Sequence, residues 1–334
     1  MLTPLCGGCV LNLDERKVYV VVTCCNRPWY LSACLQSLVE AGVKQFPIVV
    51  TSDHAPSEEH WGNCNYYLCQ DMIQEHALDL DYFTSGNKGL GRALTDARGL
   101  VFDNFGADFA YFIEDDVVVT PSFFTVMESL RKWCEQFDNV GAVGAWCDRR
   151  YSDAACQFLQ DRVHISNANW FAYGMHRNAW RSIRQTQFDY TNTFLRIKSY
   201  SQRDHAAIRH FFRQNWVNRV RREYQSPFPM TSSIWDVDDW LSHDDDYLAT
   251  GQDAALACAL ACAGYYRVST AVSRMRNIGE VGHTTFDHQA DLLDLASVPA
   301  ANFSLESESA LEFKPETAED RRIVTSYDYT LQSP

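Results

Sequence analysis

With 334 residues, 46% of them apolar, the chain is long enough for one elaborated α/β domain and has the composition of a globular protein. Its formal net charge of −14 excludes general nucleic-acid binding, which needs a positive surface to displace counterions from phosphates. A diphosphate ligand stays possible, because a divalent cation can bridge an acidic site to phosphate oxygens. No apolar run approaches the roughly 18 residues that span a bilayer, so no transmembrane segment is expected. Residues 1–16 also lack the basic, apolar and small-residue order of a signal peptide. The twelve cysteines therefore read as reduced thiols of a cytoplasmic protein rather than as a disulfide framework. Cys6 and Cys9 have CxxC spacing, but no second pair follows, and zinc is the weaker reading there.

Residues 18–25 (VYVVVTCC) form a continuous apolar, β-branched run, the pattern of a strand buried on both faces. Asn26-Arg27-Pro28 breaks it, and residues 29–42 take helical spacing, with Leu31, Cys34, Leu35, Leu38 and Val39 on one stripe. Residues 46–51 (FPIVVT) predict a second buried strand ending at Ser52-Asp53, which completes a βαβ unit with a parallel pair. A helix around residues 66–76 and a short strand at Tyr82-Phe83 follow. A glycine-rich turn over 86–91 then opens a helix over 92–102. Residues 108–113 (DFAYFI) predict a third buried strand that runs straight into Glu114-Asp115-Asp116, with a helix over 121–137 and a strand over 140–145 beyond it. This alternation predicts an α/β fold built on a doubly wound, mostly parallel twisted sheet flanked by helices.

Between residues 181 and 222 basic and aromatic side chains interleave, among them Arg196, Arg203, Arg209, Phe211, Phe212 and Arg213, and an acidic stretch follows over 236–246. The expected organisation is one domain over 17–290, with 181–250 as an inserted acceptor-side subregion. Its basic segment either meets an acidic acceptor or pairs with the acidic stretch. Residues 251–263 predict a short helix of small residues stopped by Gly264. Residues 291–334 form an acidic C-terminal tail, partly disordered or wrapped on the surface.

The triplet Glu114-Asp115-Asp116 is the most informative feature. Ligands of open α/β sheets bind just outside the carboxyl ends of the strands. In an extended segment Glu114 and Asp116 point one way and Asp115 the other, so one carboxylate can hold a hard divalent ion while a neighbour takes ribose hydroxyls. A lone triplet would be a solvated loop; its place between an apolar strand and VVVTP favours a site. Asp53, at the end of the second strand, either accepts the N–H of a uracil ring or closes a turn. Arg27, after the first strand, can meet phosphate. The glycine turn has neither GxGxxG nor GxxxxGKS order. Arg92 and Arg98, on the helix it opens, either reach a diphosphate or face solvent. His283, on a glycine-flanked segment, touches the diphosphate, completes a metal shell, or lies on a surface loop.

The segments IVVTSD (48–53), FIEDDVVVTPSFF (112–124), VGAVGAW (140–146) and GYYRVSTAVSRMRNIGEVGHTTFDH (264–288) together resemble the eukaryotic N-acetylglucosaminyltransferase I family and, more loosely, the wider GT-A superfamily of glycosyltransferases. The resemblance implies a GT-A nucleotide-binding fold, a UDP-sugar donor with UDP-GlcNAc favoured over UDP-glucose or UDP-galactose, and Mn²⁺ or Mg²⁺. It places the metal ligand at the last residue of the triplet, Asp116, with Glu114 and Asp115 beside the donor, and the uracil contact at Asp53. It also implies a base for an inverting transfer. Spacing back from Gly264 points to Asp253; the family's Trp- and Asp-rich local sequence points to Asp239, with Asp236 and Asp238 beside it. A helix N-cap is the plainer role for Asp253. The sequence shows no Golgi-type anchor or stem, and 181–250 has no clear counterpart. A cytoplasmic enzyme acting on another glycan, lipid-linked or protein acceptor is therefore expected. Two other readings compete. A nucleotidyltransferase would carry a glycine-rich loop where this chain has Asn26-Arg27-Pro28-Trp29. A carbohydrate-binding protein on an inactive transferase fold has the intact triplet against it.

Overall fold

An apolar run with no polar face can be a strand only if both of its faces are covered, and VYVVVTC becomes β2 (Val18–Cys24), central in a ten-stranded sheet. The computed structural model describes residues 3–4, 17–54, 59–84, 86–147, 151–166, 170–196, 202–219, 250–279 and 311–329. The strands are β1 (Thr3–Pro4), β2, β3 (Ile48–Ser52), β4 (Leu80–Thr84), β5 (Phe109–Glu114), β7 (Val140–Gly144), β8 (Arg162–Ile165), β9 (Ala172–His176), β10 (Tyr266–Thr270) and β12 (Lys314–Pro315). Their order is β1-β4-β3-β2-β5-β9-β7-β10-β8-β12. A separate antiparallel pair joins β6 (Val117–Val119) to β11 (Met275–Asn277).

The four neighbours β4, β3, β2 and β5 are all parallel. Beyond β5 the sheet is mixed: β9 runs antiparallel to both β5 and β7, and β10 is parallel to β7 but antiparallel to β8. The expected α/β sheet flanked by helices is present, and the antiparallel β9 and β8 add to it. Gly174 lets β9 sit in the middle, because a Cβ there would collide with the Phe109 ring.

Alternation along β2 and β3 divides the core. Val20, Val22, Ile48 and Val50 pack on one face with α1 (Pro28–Glu40), α2 (Glu59–His76) and α4 (Phe123–Cys134). Val21 and Val49 face the other way, toward α3 (Leu90–Gly99), α6 (Arg177–Phe194) and the helix Gln252–Cys262. With α5 (Asp153–Leu159) and α7 (His205–Arg219) preceding it, that last helix is α8. It is buried from Ala254 to Cys262 on every side, as a helix of small apolar residues must be.

Several boundaries move. The helix expected from 92 begins at Leu90 and continues through a π-helical turn at Leu100–Asn104; α2 starts at Glu59; α4 starts at Phe123 rather than Pro121. Helix α6 runs through residue 181, where the insertion was expected to begin, and Trp180, Ile183 and Tyr190 join the main core. In α7, Ile208 and Phe212 turn inward as well. The acidic stretch over 236–246 and the Cys6/Cys9 pair lie outside the described residues. In the tail, β12 pairs with β8, and α9 (Ala318–Tyr329) packs on α5. Among the described residues, Cys24, Cys34, Cys64, Cys69, Cys134 and Cys258 are free thiols. No helix of the described residues is long and apolar enough to cross a membrane.

Candidate active site

The strand register brings the acidic residues together. Thr23 lies opposite both Glu114 and Thr51, and Cys24 lies opposite Ser52, so three parallel strands end level. Main-chain bonds carry the alignment one residue further: Asp53 N–H donates to the Cys24 carbonyl (2.8 Å) and Asp115 N–H to the Thr23 carbonyl (3.0 Å). Asn65 of α2, fully buried, donates to the Cys25 carbonyl (2.6 Å) and the Ser52 hydroxyl (3.2 Å) and locks the same edge.

Arg27 closes this group. Its Nη1 donates to Asp116 Oδ2 at 3.0 Å, its Nη2 donates to Asp115 Oδ1, and its guanidinium lies over the Tyr30 ring at 5.1 Å. The expected alternation, with Glu114 and Asp116 on one side and Asp115 on the other, does not hold. The strand stops at Glu114, residues 115–116 form a turn, and both aspartates meet one arginine. Burial works against the Arg27 charge, but the charges and hydrogen bonds of the two aspartates outweigh it and raise its pKa. Burial pushes Asp115 up to about 6, against the pull of Arg27. Glu114 is pushed well above the usual carboxylate range by burial and then by the negative charges of Asp116, Asp253 and Asp115.

Pairing of β6 with β11 seats the chain after Met275 over Asp116. Ile278 N–H donates to the Asp116 carbonyl (2.7 Å), and Asn277 Nδ2 donates to Asp116 Oδ1 (3.4 Å). At Gly279 a Cβ would collide with Asp116 Oδ2. Asp53 is buried, and its Oδ1 accepts the Lys88 main-chain N–H at 2.6 Å from the glycine turn, where Asn87 and Gly89 take positive φ. Arg92 sits half-buried in the first turn of α3.

Asp253 lies in the first turn of α8, whose N-cap is Gly251; the N-cap role weighed for Asp253 is therefore not the one it has. Its Oδ2 accepts the Trp170 main-chain N–H at 3.3 Å, and its charge reaches Glu114; Trp170 leads into β9, the neighbour of β5 on the side away from β2 and Arg27. Arg98 does not face solvent. It is buried and donates Nε to the Tyr173 hydroxyl at 2.8 Å. Its position was legible: four residues after Leu94 and three before Val101, it lies on the buried stripe of α3. Trp170 and Tyr173 carried no sequence signal, and Arg267 lay unremarked within the segment 264–288. Asp239 and His283, with Asp236 and Asp238, fall outside the described residues. A cavity of about 490 Å³ opens at the opposite, amino ends of β2 and β5, around Asp108, Arg131 and Arg177, away from the carboxylates.

The sequence profile of the GNT-I family matches residues 10–195, more than half of the chain. The chain belongs to the GNT-I family. Within this GNT-I chain the match includes Arg27, Asp53, Arg92 and Glu114-Asp115-Asp116 and ends before Asp239, Asp253 and His283. Among solved structures, the chain is similar to S. aureus TarS 1-349, at 13% identity and a TM-score of 0.36 over 55% of this chain and 52% of that one. The same fragment in complex with UDP-GlcNAc gives 14% identity and a TM-score of 0.33 over 49% of this chain and 46% of that one. For S. aureus TarS the values are 13% and 0.35, over 50% of this chain and 29% of that one. The GNT-I chain thus spans about half the length of the TarS fragments and less of TarS itself. No curated protein matches.

The site suits a cation. Among the described residues, no three His, Cys, Asp or Glu side chains converge as a metal cage. A diphosphate-bound Mg²⁺ or Mn²⁺ needs only one or two carboxylates, since phosphate and water complete its shell. Three observations fit: Arg27 already places a positive group between Asp115 and Asp116, Asp115 Oδ2 is buried without a hydrogen-bond partner among the described residues, and at Gly279 the lack of a side chain leaves room beside Asp116 Oδ2.

Proposed function

We propose that the chain is a metal-dependent, inverting glycosyltransferase that moves a sugar, N-acetylglucosamine favoured, from a UDP-sugar to an acceptor hydroxyl. The observation that carries this reading is the single guanidinium shared by Asp115 and Asp116 at the level ends of parallel strands, in a chain of the GNT-I family. Asp116 would hold Mn²⁺ or Mg²⁺, with Asn277 beside it. When bound, the ion offsets charge on the departing diphosphate. Arg27, freed from the aspartates, turns to phosphate; Asp53 accepts the uracil N–H; and Arg92 stands on the helix nearest Lys88. The preference for UDP-GlcNAc rests on the family resemblance.

Inversion needs one displacement. The acceptor oxygen bonds to the anomeric carbon, UDP leaves from the opposite face, and a base takes the hydroxyl proton. Asp253 is the base in this reading. Burial raises its pKa against the pull of the Trp170 N–H, Arg267 and Arg98, the direction that suits a group that must take a proton. Asp239 is the rival. The acceptor is a glycan, lipid-linked or protein hydroxyl. A cytoplasmic setting belongs to the same reading, supported by the buried thiols of Cys34, Cys69, Cys134 and Cys258.

The test is UDP release from a panel of nucleotide sugars with Mn²⁺ and after EDTA. Release that needs both a UDP-sugar and the metal is expected. Pyrophosphate release from UTP and a sugar 1-phosphate, with no UDP released from the nucleotide sugars, would mean a nucleotidyltransferase, and tight UDP-sugar binding without release would mean a binding protein.

A further inference from the structure

Two arginines close to Asp253 have no part in the chemistry above. Arg98 of α3 and Arg267 of β10 are only 2% and 1% exposed. A buried guanidinium is costly unless hydrogen bonds and countercharge replace water, and both are built into one aromatic frame. Arg98 lies over the Phe112 and Tyr173 rings, 5.8 Å from each, with its Nε bonded to the Tyr173 hydroxyl. Arg267 lies over the Trp170 ring at 4.3 Å and donates Nε and Nη2 to the Ser166 carbonyl and hydroxyl, both at 2.9 Å. The Trp170 and Tyr173 rings meet edge to face at 4.9 Å. Trp170 also supplies the main-chain N–H that holds Asp253 Oδ2. One aromatic pair therefore links two positive charges to the donor that fixes the carboxylate.

We propose that Arg98 and Arg267 are positioning residues for Asp253, which hold its carboxylate at the strand-end crevice through the Trp170–Tyr173 pair and the field of two buried charges. This rests on Asp253 being the base. Among the described residues, the charged and titratable groups around Asp253 are Glu114 of β5, Tyr173 of β9, Arg98 of α3 and Arg267 of β10. Of these four, the arginines favour its ionised form. Burial pushes Asp253 up, and the Trp170 N–H, Arg267 and Arg98 pull it back. Burial in turn lowers Arg267 to about 9, with Asp253 and Tyr173 opposing the fall.

The experiment is the pH dependence of turnover at saturating donor. A base must be deprotonated, so the rate rises with pH through its pKa. Arg267→Met and Arg98→Met should each move that rise to higher pH by about one unit or more, the usual effect of removing a nearby opposite charge. UDP affinity should stay unchanged, and Arg267→Lys should bring the profile back toward that of the wild type. Asp253→Asn separates the two claims. If it keeps its turnover, the base reading fails. If it loses turnover while folded Met variants leave the profile in place, the positioning role alone is overturned. Failure of both Met variants to fold would assign the arginines to stability and overturn it too.

Discussion

The end of β5 carries two groups of charges that are held in different ways. On one side Arg27, with 18% of its side chain exposed, pairs with Asp115 and Asp116 from the turn after β2. On the other, Arg98 and Arg267 act on Asp253 from among the Phe112, Tyr173 and Trp170 rings. The first arginine holds two carboxylates at once, so it can exchange its bond to Asp116, the more exposed of the two at 11%, for phosphate while keeping Asp115. The second pair cannot move without stranding charge in an apolar surround. The difference suits two tasks: a donor pocket must take in and release a charged diphosphate in every cycle, and a base must stay in one place.

The sharpest way to break this division is at Asp116. Asp116→Ala should abolish metal-dependent turnover and leave the fold intact, because Asp116 holds the exchangeable cation and its removal opens no apolar cavity. Full activity of this variant, or of the wild type in EDTA, would remove the donor-side role. Next in size is Asp253→Asn. It should lower turnover roughly 10²–10⁴-fold, the usual weight of a general base, with donor affinity nearly unchanged and a product of inverted configuration. A retained anomeric configuration, read by NMR of the product, would mean that both sides of β5 had been misassigned.

Which of these parts the sequence reveals follows from how each is built. The donor side is written in contiguous segments: an apolar strand, a break, and the polar residues directly after it, as in VYVVVTCC-Asn26-Arg27 and DFAYFI-Glu114-Asp115-Asp116. Parallel strands buried on both faces give that pattern wherever they occur. The pairing of Arg27 with Asp115 and Asp116 spans almost ninety positions and left no mark in spacing. The base side joins α3, β9, β10 and α8, and nothing local shows that Trp170 and Arg267 stack. Strand β9 was missed because AYGMH lacks the β-branched run of a buried strand and owes its place to Gly174 fitting against Phe109. Residue 181 looked like a boundary because basic and aromatic residues begin to interleave there, while Ile183, Gln187 and Tyr190 form the buried stripe of the same helix.

Asp53 refines the donor side on a smaller scale. One of its oxygens accepts the Lys88 N–H, and an ionised carboxylate has about four acceptor sites, so it can serve the turn and a uracil ring together. Asp53→Asn separates the two roles. The amide oxygen can still accept from Lys88, but the charged acceptor for the ring is lost. UDP affinity measured by calorimetry should fall by about 1.5–3 kcal/mol, while thermal stability changes little. Equal affinity with lowered stability would leave Asp53 as a turn residue only.

The smallest expected effect is a dependence of stability on pH, and it tests whether the donor side is as buried as it looks without its ligands. Burial carries Asp115 to about 6 in the folded chain, while an unfolded aspartate titrates near ~3.9. Between those values the folded chain keeps a proton that the unfolded chain has released. Stability is therefore full below the unfolded value and is lost as pH rises through about 6. Glu114 and Asp253, also raised, act in the same direction. Glu128 and Asp320 are lowered by their hydrogen bonds despite burial, so their contributions change only below the ordinary carboxylate range. In EDTA the melting temperature should fall by a few degrees, about 2–4 °C per kcal/mol for a large domain, as pH rises from about 4.5 to about 6.5 across the interval set by the two Asp115 values. Asp115→Asn should flatten part of that slope, and Mn²⁺ with UDP should flatten it further, because a ligand that favours the ionised aspartates stabilises most at the higher pH. A melting temperature that rises with pH over this interval in EDTA would show that Arg27 outweighs burial at Asp115, and that the exchangeable pair is held more tightly than its partial exposure implies.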